Sequence, residues 1–350
     1  MDLPALIRAG RKFGASDIHV VVGLPPVFRI DGEIVVSKGE VITADMAREL
    51  ACSRLNEERK ARLEHDLMLC FSTTFENDER ARISVYFRNG RPELAIRLCE
   101  STIRTSKELR LPSIVDELAM KPSGLVVITG PTGVGKTTTM HYMVDLINSR
   151  NRSKIITIED PIEYVHAFKK SIVIQQEVLS DVHDFRMALR HVLRQDPDVI
   201  GIGEMRDQET VHTALMAAET GHLVIATLHT PSTVELLQRI VSTFPEGQQS
   251  EVRFMLANTL QGVIAQQLLP KAQGKGRVLC YEVLIGTPGV CHHVRQNAMH
   301  KIYSEIQGGQ KYQMSTMDHC LLDLYQKGDI SYDVAVSMAR YPETIQARSA

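Results

Sequence analysis

The six cysteines, Cys52, Cys70, Cys99, Cys280, Cys291 and Cys320, contain no C-x-x-C pair. That absence excludes the common zinc and dithiol motifs and fits a reducing compartment. An excess of either charge is missing too, since 40 Lys and Arg face 42 Asp and Glu for a formal net charge of −2. A dedicated nucleic-acid binder needs a general electrostatic grip on phosphate backbones, so no nucleic-acid partner is expected. No apolar run approaches the ~18 residues that span a bilayer, and the opening MDLPALIRAGRK has no signal-peptide core. Short repeats and low-complexity tracts are absent as well. The remaining expectation is an intracellular globular protein. Its 43% apolar and 23% charged residues exclude a disordered chain, and 350 residues suggest two or three domains.

The pattern changes once along the chain. Up to Glu100, short apolar runs alternate with turn signals: Ile18–Val22, Val27–Ile30 before Asp31-Gly32, Ile34–Val36 and Ile83–Phe87. Thr43 with Asp45 predicts a helix start before Ala47, Leu50 and Ala51. A Pro- and Ser-containing seam follows between Glu100 and Gly124. Beyond it, Leu125–Thr129, Ile155–Ile158, Val199–Ile202 and Leu223–Leu228 are continuous apolar runs, the mark of strands buried on both faces. Helical segments such as Phe185–Gln195 separate them, which predicts a parallel sheet covered by helices. After Pro245 the spacing of Val252, Met255, Leu256, Leu260, Val263 and Ile264 predicts a helical appendage, and the chain from Gly289 onward is expected to be mainly helical.

The strongest local signal is Gly130, Pro131, Thr132, Gly133, Val134, Gly135, Lys136 and Thr137, followed by Thr138. It matches G-x-x-x-x-G-K-[ST] between a predicted strand and a predicted helix. Chance would supply the pattern in about one chain of this length in a hundred. Glycines let backbone N–H groups converge on an anion, and the helix N-terminus adds about half a positive charge. Lys136 is then expected to reach the β- and γ-phosphates of ATP, and the Thr137 hydroxyl to bind Mg²⁺. The strand Asp198–Gly203 leads to Glu204, placed as the carboxylate on the magnesium side.

Two further stretches admit more than one reading. Glu159-Asp-Pro-Ile-Glu163 fits a capping box, with Asp160 as N-cap, Pro161 first and Glu163 third. It equally fits a catalytic base at the carboxyl edge of a parallel sheet. His222 and His229 bracket the strand after Gly221. They fit satisfied strand-end histidines or, for an imidazole facing the nucleotide, a phosphate sensor.

The segment Arg80–Leu98 can be read by register. Asn89-Gly90 is a two-residue hairpin signal. Placing Arg88 opposite Arg91 puts Arg82 opposite Arg97, with Ile83, Val85, Phe87, Leu94, Ile96 and Leu98 on the core face. Like charges directly opposite are unfavourable unless they face an anion or find counter-ions such as Glu93. Pro92 requires an edge or strand-start position.

Taken together these residues resemble the type IV pilus retraction ATPases within the secretion-type hexameric ATPases. The resemblance runs through Gly14–His19, Gly23–Pro26, Gly130–Thr137, Ile156–Glu163 and Leu193–Asp198. It continues in Gly203–Asp207, Ala218–Leu223, Thr227–His229, Phe244-Pro245 and Ile285–Pro288. It implies an α/β architecture with a PAS-like α+β domain at 1–100, a linker at 101–123, a RecA-like P-loop ATPase core at 124–285 and a helical region at 286–350. It also implies a homohexamer, cytoplasmic and peripheral at the inner membrane. The expected partners are the inner-membrane platform protein of the pilus machine and a second retraction ATPase.

Within that resemblance Glu163 is the general base, Glu204 the Walker B carboxylate, and His222 with His229 a histidine box. Arg82 and Arg97 reach a neighbouring subunit's nucleotide. After Thr287-Pro288 the chain has Gly289-Val-Cys-His-His-Val-Arg-Gln296 where the family's retraction members have AIRNLIRE. All expected catalytic groups lie at or before His229. Residues from Gly289 are therefore expected to pass on force, and truncation after Pro288 to leave the nucleotide site complete.

Overall fold

The computed structural model describes residues 1–30, 32–75, 80–99, 102–274 and 276–346. Asp31 of the Asp31-Gly32 turn and Glu100 at the start of the seam lie outside the described residues. Two units are distinguished by contact: Met1–Thr102 together with Pro161–Val165, and Ile103–Asp160 together with His166–Ala350.

The first unit is built on one antiparallel sheet. Its strands are β1 (Ala15–Val20), β2 (Val27–Ile30), β3 (Glu33–Val36), β4 (Met68–Thr74), β5 (Arg80–Arg88) and β6 (Arg91–Leu98), in the order β3-β2-β1-β6-β5-β4. Asn89 and Gly90 both take positive φ, 51° and 72°, which matches a two-residue hairpin to the strand twist. Arg88 faces Arg91 and Arg82 faces Arg97, as the register predicts. Pro92 faces Phe87 beside the hydrogen-bonded pair at the turn, so its nitrogen points toward β1. Because β1 pairs with β6 only from Leu94 onward, no ladder bond is lost there.

Ile83, Val85, Leu94, Ile96 and Leu98 pack with Leu6 and Ile7 of the helix Leu3–Lys12 and Leu50 of the helix Ala44–Cys52. Each such fully buried side chain contributes about 1.5–3 kcal/mol. Thr43 caps the second of these helices, its hydroxyl accepting from the Met46 N–H at 3.2 Å, a contact that stabilises by about 1 kcal/mol.

The second unit carries β7 (Gly124–Thr129), β8 (Lys154–Glu159), β9 (Ile172–Glu177), β10 (Val199–Ile202), β11 (Leu223–Thr227), β12 (Leu260–Pro270) and β13 (Arg277–Ile285). Their order is β13-β12-β7-β11-β10-β8-β9, parallel throughout except for β13. Alternate residues enter opposite cores: Leu125 and Val127 one, Val126 and Ile128 the other. The same split at Ile155/Ile156 and Val224/Ile225 explains why these runs lack polar alternation. This is the α/β class expected.

Three expectations are corrected. After Pro245 the helix ends at Thr259, and Leu260, Val263 and Ile264 belong to β12 instead of a helical appendage. A short apolar run buried on both faces satisfies either period, and here pairing with β7 and β13 decides. Next, Asp160–Glu163 starts no helix, so the capping box is not formed. The backbone that would have continued it is held elsewhere. The Asn148 side chain donates to Ala167 O (2.8 Å) and accepts from Lys169 N (3.2 Å), and Gln175 Oε1 accepts from His166 N (2.9 Å). Tertiary bonds outweigh the local propensity. Third, the helix Pro288–Arg295 is no detachable lever. Val290, Cys291 and Val294 are buried in the same core as Leu125, Ile156 and Ile200, so truncation after Pro288 would open that core.

Candidate active site

Parallel pairing of β7, β11 and β10 brings their carboxyl ends to one edge. The loop after β7 holds Gly130, Gly133 and Gly135 at φ of 140°, 79° and 90°, conformations open to glycine. Gly130 has a second reason, because a Cβ there would lie 2.3 Å from the Gln266 carbonyl oxygen on β12. The helix Lys136–Arg150 begins directly after the loop.

Lys136 is only 6% exposed. Its ammonium donates to Gly130 O (2.8 Å) and Pro131 O (2.9 Å), and lies 3.1 Å from His229 Nδ1. Burial pushes the lysine pKa down, and the nearby Glu204 carboxylate pulls the other way. His229 Nε2 is 3.2 Å from Glu204 Oε1. An ammonium can only donate and a carboxylate only accept. His229 therefore turns its Nδ1 lone pair to Lys136 and its Nε2–H to Glu204. Arg206 Nε holds the other Glu204 oxygen at 2.7 Å. The loop beneath is fixed by Thr129, whose hydroxyl donates to Thr230 O (2.6 Å) and accepts from Thr230 N (2.9 Å).

Lys136, His229 and Glu204 thus converge, with Thr137 and Thr138 half-buried in the first helical turn beside them. His222 does not join them. It sits at the opposite end of β11, its Nδ1 2.9 Å from Ala217 O, and seven extended residues from His229 span roughly 23 Å. The two histidines cannot act as one box on a single phosphate group.

Other expected residues belong to the first unit. Arg82 and Arg97 face one another across the β5–β6 hairpin. Arg97 Nε donates to Asp17 Oδ1 at 2.9 Å, and Arg82 Nε lies 3.2 Å from Cys70 Sγ. Glu93 is held by Arg88 at 2.6 Å, and Asp17, not Glu93, is the carboxylate paired with Arg97. Glu163 lies in the Pro161–Val165 stretch. Arg80 anchors that stretch by donating from Nε to Ile162 O at 2.6 Å. Burial pushes the Cys99 thiol pKa up, and the Glu163 charge adds to it.

Sequence reasoning missed two contacts on the phosphate loop. Gln266 Nε2 donates to the buried Thr139 hydroxyl at 2.8 Å, and Arg277 Nη1 reaches Gly133 O at 3.3 Å. Both residues come from the β12–β13 hairpin, which the helical reading of this region hid. Asp17 was legible only through the β1–β6 register, which places it opposite Arg97.

A family profile described as type II/IV secretion system protein matches residues 12–348. The type IV pilus retractation ATPase PilT of Pseudomonas aeruginosa is 40% identical over 343 residues, covering 98% of this chain and 99% of the relative. The type IV pilus ATPase PilU of the same organism is 35% identical over 339 residues, covering 97% and 89%. A crystal structure of the pilus retraction motor PilT with bound ADP superposes with a TM-score of 0.92 at 42% identity, covering 99% of both chains.

Proposed function

Since this chain belongs to the type II/IV secretion system protein family, and within it to the pilus ATPases, we propose that it is a hexameric motor that hydrolyses ATP to power pilus retraction. The observation that carries the reading is the convergence of the Gly130–Thr137 loop with Lys136, His229 and Glu204 on one edge of the sheet.

The loop's backbone N–H groups and the Lys136 ammonium receive the phosphates, with burial strengthening each charge contact. Mg²⁺ fits the oxygen donors available, the Thr137 hydroxyl and the Glu204 carboxylate. When bound, it neutralises charge on the phosphates. Glu163 takes a proton from the attacking water. His229 links Lys136 to Glu204, so movement of either on phosphate release is felt by the other. Arg82 and Arg97 face the nucleotide of a neighbouring subunit. In exchange for Asp17, Arg97 then gains a phosphate partner of higher charge.

No helix among the described residues is long and apolar enough to cross a membrane. The motor works as a homohexamer from the cytoplasm, docked on the inner-membrane platform protein of the pilus machine. A second reading, an accessory ATPase that modulates another retraction motor, is supported by the 35% identity to PilU beside the 40% to PilT. ATP turnover by the isolated protein, with pili and twitching scored in a deletion strain, separates the two. The motor reading requires substantial turnover and a hyperpiliated, non-twitching strain. Negligible turnover in a strain that still twitches would sink it.

Action across subunits gives its own test. Rings mixed from Arg82→Ala and Lys136→Ala subunits should regain hydrolysis, because an intact arginine then meets an intact loop at some interfaces. Activity no greater than the sum of the two separate variants would exclude trans action.

A further inference from the structure

The second unit buries a set of titratable side chains that the reaction above does not use. His141 and Glu159 are 0% and 2% exposed. His141 belongs to the helix Lys136–Arg150, one turn beyond Thr137. Its Nε2 lies 3.1 Å from Glu159 Oε2 and its Nδ1 lies 2.9 Å from His166 Nε2. Glu159 also accepts from the Thr157 hydroxyl at 2.6 Å and from Gln175 Nε2 at 3.0 Å. Burial opposes ionisation of Glu159, but the His141, Thr157 and Gln175 contacts outweigh it and hold the carboxyl below its usual range.

An ionised Glu159 only accepts, so His141 donates to it from Nε2–H. Its Nδ1 shares a second hydrogen bond with His166 Nε2. Burial pushes the His166 pKa down by more than Asp145 raises it. Its Nδ1 remains 3.9 Å from Asp145 Oδ1, too far for a hydrogen bond, while Lys169 Nζ holds Asp145 at 2.6 Å.

Glu159 and His166 share a place in the chain. Glu159 is the last residue of β8, and His166 follows Val165. Between them runs the irregular stretch Asp160–Val165, which carries Glu163. One imidazole on the phosphate-loop helix therefore bonds to both ends of that stretch. A leucine would fill the same space with no polar groups to satisfy, and buried polar clusters are seldom the most stable solution.

We propose that His141 is a positioning residue: it ties Glu159 and His166, the two residues that flank the Asp160–Val165 stretch, to the phosphate-loop helix and so fixes where the chain that carries Glu163 leaves and re-enters the second unit. The proposal rests on the assignment of Glu163 as general base. Its reach is considerable, because an error of ~1 Å in the placement of a reacting group can cost ~10²-fold in rate.

Full-length protein carrying His141→Ala, His141→Gln, Glu163→Gln or His141→Ala with Glu163→Gln tests it, with ATP turnover and ADP affinity measured on each. His141→Ala should lower kcat by roughly 10–100-fold while ADP affinity stays within about threefold, the split expected when only transition-state geometry is lost. His141→Gln keeps one donor and one acceptor and should recover most of the rate. The double variant should be no slower than Glu163→Gln alone, since His141 acts through Glu163.

Normal turnover in His141→Ala beside a crippled Glu163→Gln overturns the positioning role alone, and so does a double variant whose losses multiply in full. Normal turnover in Glu163→Gln overturns the base assignment and the positioning role with it. Should His141→Ala fail to fold, Glu159→Gln keeps the volume, weakens the same bond and decides the question by the same criteria.

Discussion

Lys136→Ala is expected to remove nearly all ATP turnover and most nucleotide affinity. Lys136 is only 6% exposed, and its ammonium contacts two loop carbonyls and His229. Loss of one preorganised donor from a partly dry site lowers turnover by ~10²–10³-fold. Alanine is the best helix former at the first position of Lys136–Arg150, and β7 is anchored by its own buried residues, so folding should be kept. The change also removes the donor facing His229 Nδ1, which breaks the link between the loop and Glu204. An ADP titration and a turnover assay on the purified variant check both halves. Near-normal turnover would defeat the assignment of the loop.

Glu163→Gln should act differently, with turnover lowered ~10²–10⁴-fold, the range of general acid–base assistance, while ADP still binds. Glutamine keeps the shape of the side chain but loses the charge and the ability to take a proton. Because the structure forms no helix at Asp160–Glu163, Glu163 has no capping role whose loss could unfold the protein. A melting temperature near the wild type with collapsed turnover is the expected pair of results. Unfolding without a specific loss of rate would show that Glu163 serves structure instead.

The elements legible in the sequence were those where local and tertiary preferences agree. Asn89-Gly90 demanded positive φ at two positions, and from that turn the pairing of Arg82 with Arg97 followed by counting. The Gly130–Thr137 loop was legible because its glycines are required by backbone geometry that few other residues take. Illegible parts depended on partners distant in the chain. Asp160–Glu163 has good capping residues, yet Asn148 and Gln175 bind the backbone that follows. Val263 and Ile264 fitted a helix until β7 and β13 supplied neighbours on both sides. His141 carried no motif at all, and only folding brings it to Glu159 and His166.

The approach of Gly130 to the Gln266 carbonyl has a mechanical meaning. With 2.3 Å between that oxygen and the place a Cβ would occupy, no compressible layer separates the phosphate loop from β12. The nine-residue ladder from Gly262–Ile285 to Pro270–Arg277 makes β12 and β13 one stiff plank. That plank continues through Gly286 and Thr287 into the helix at Pro288, whose apolar side is sunk in the core beneath the sheet. A displacement of the loop would therefore pass along the plank as a rigid-body shift toward the carboxyl-terminal helices, with little slack to absorb it. Residues far from the loop in sequence are in this sense geared to it.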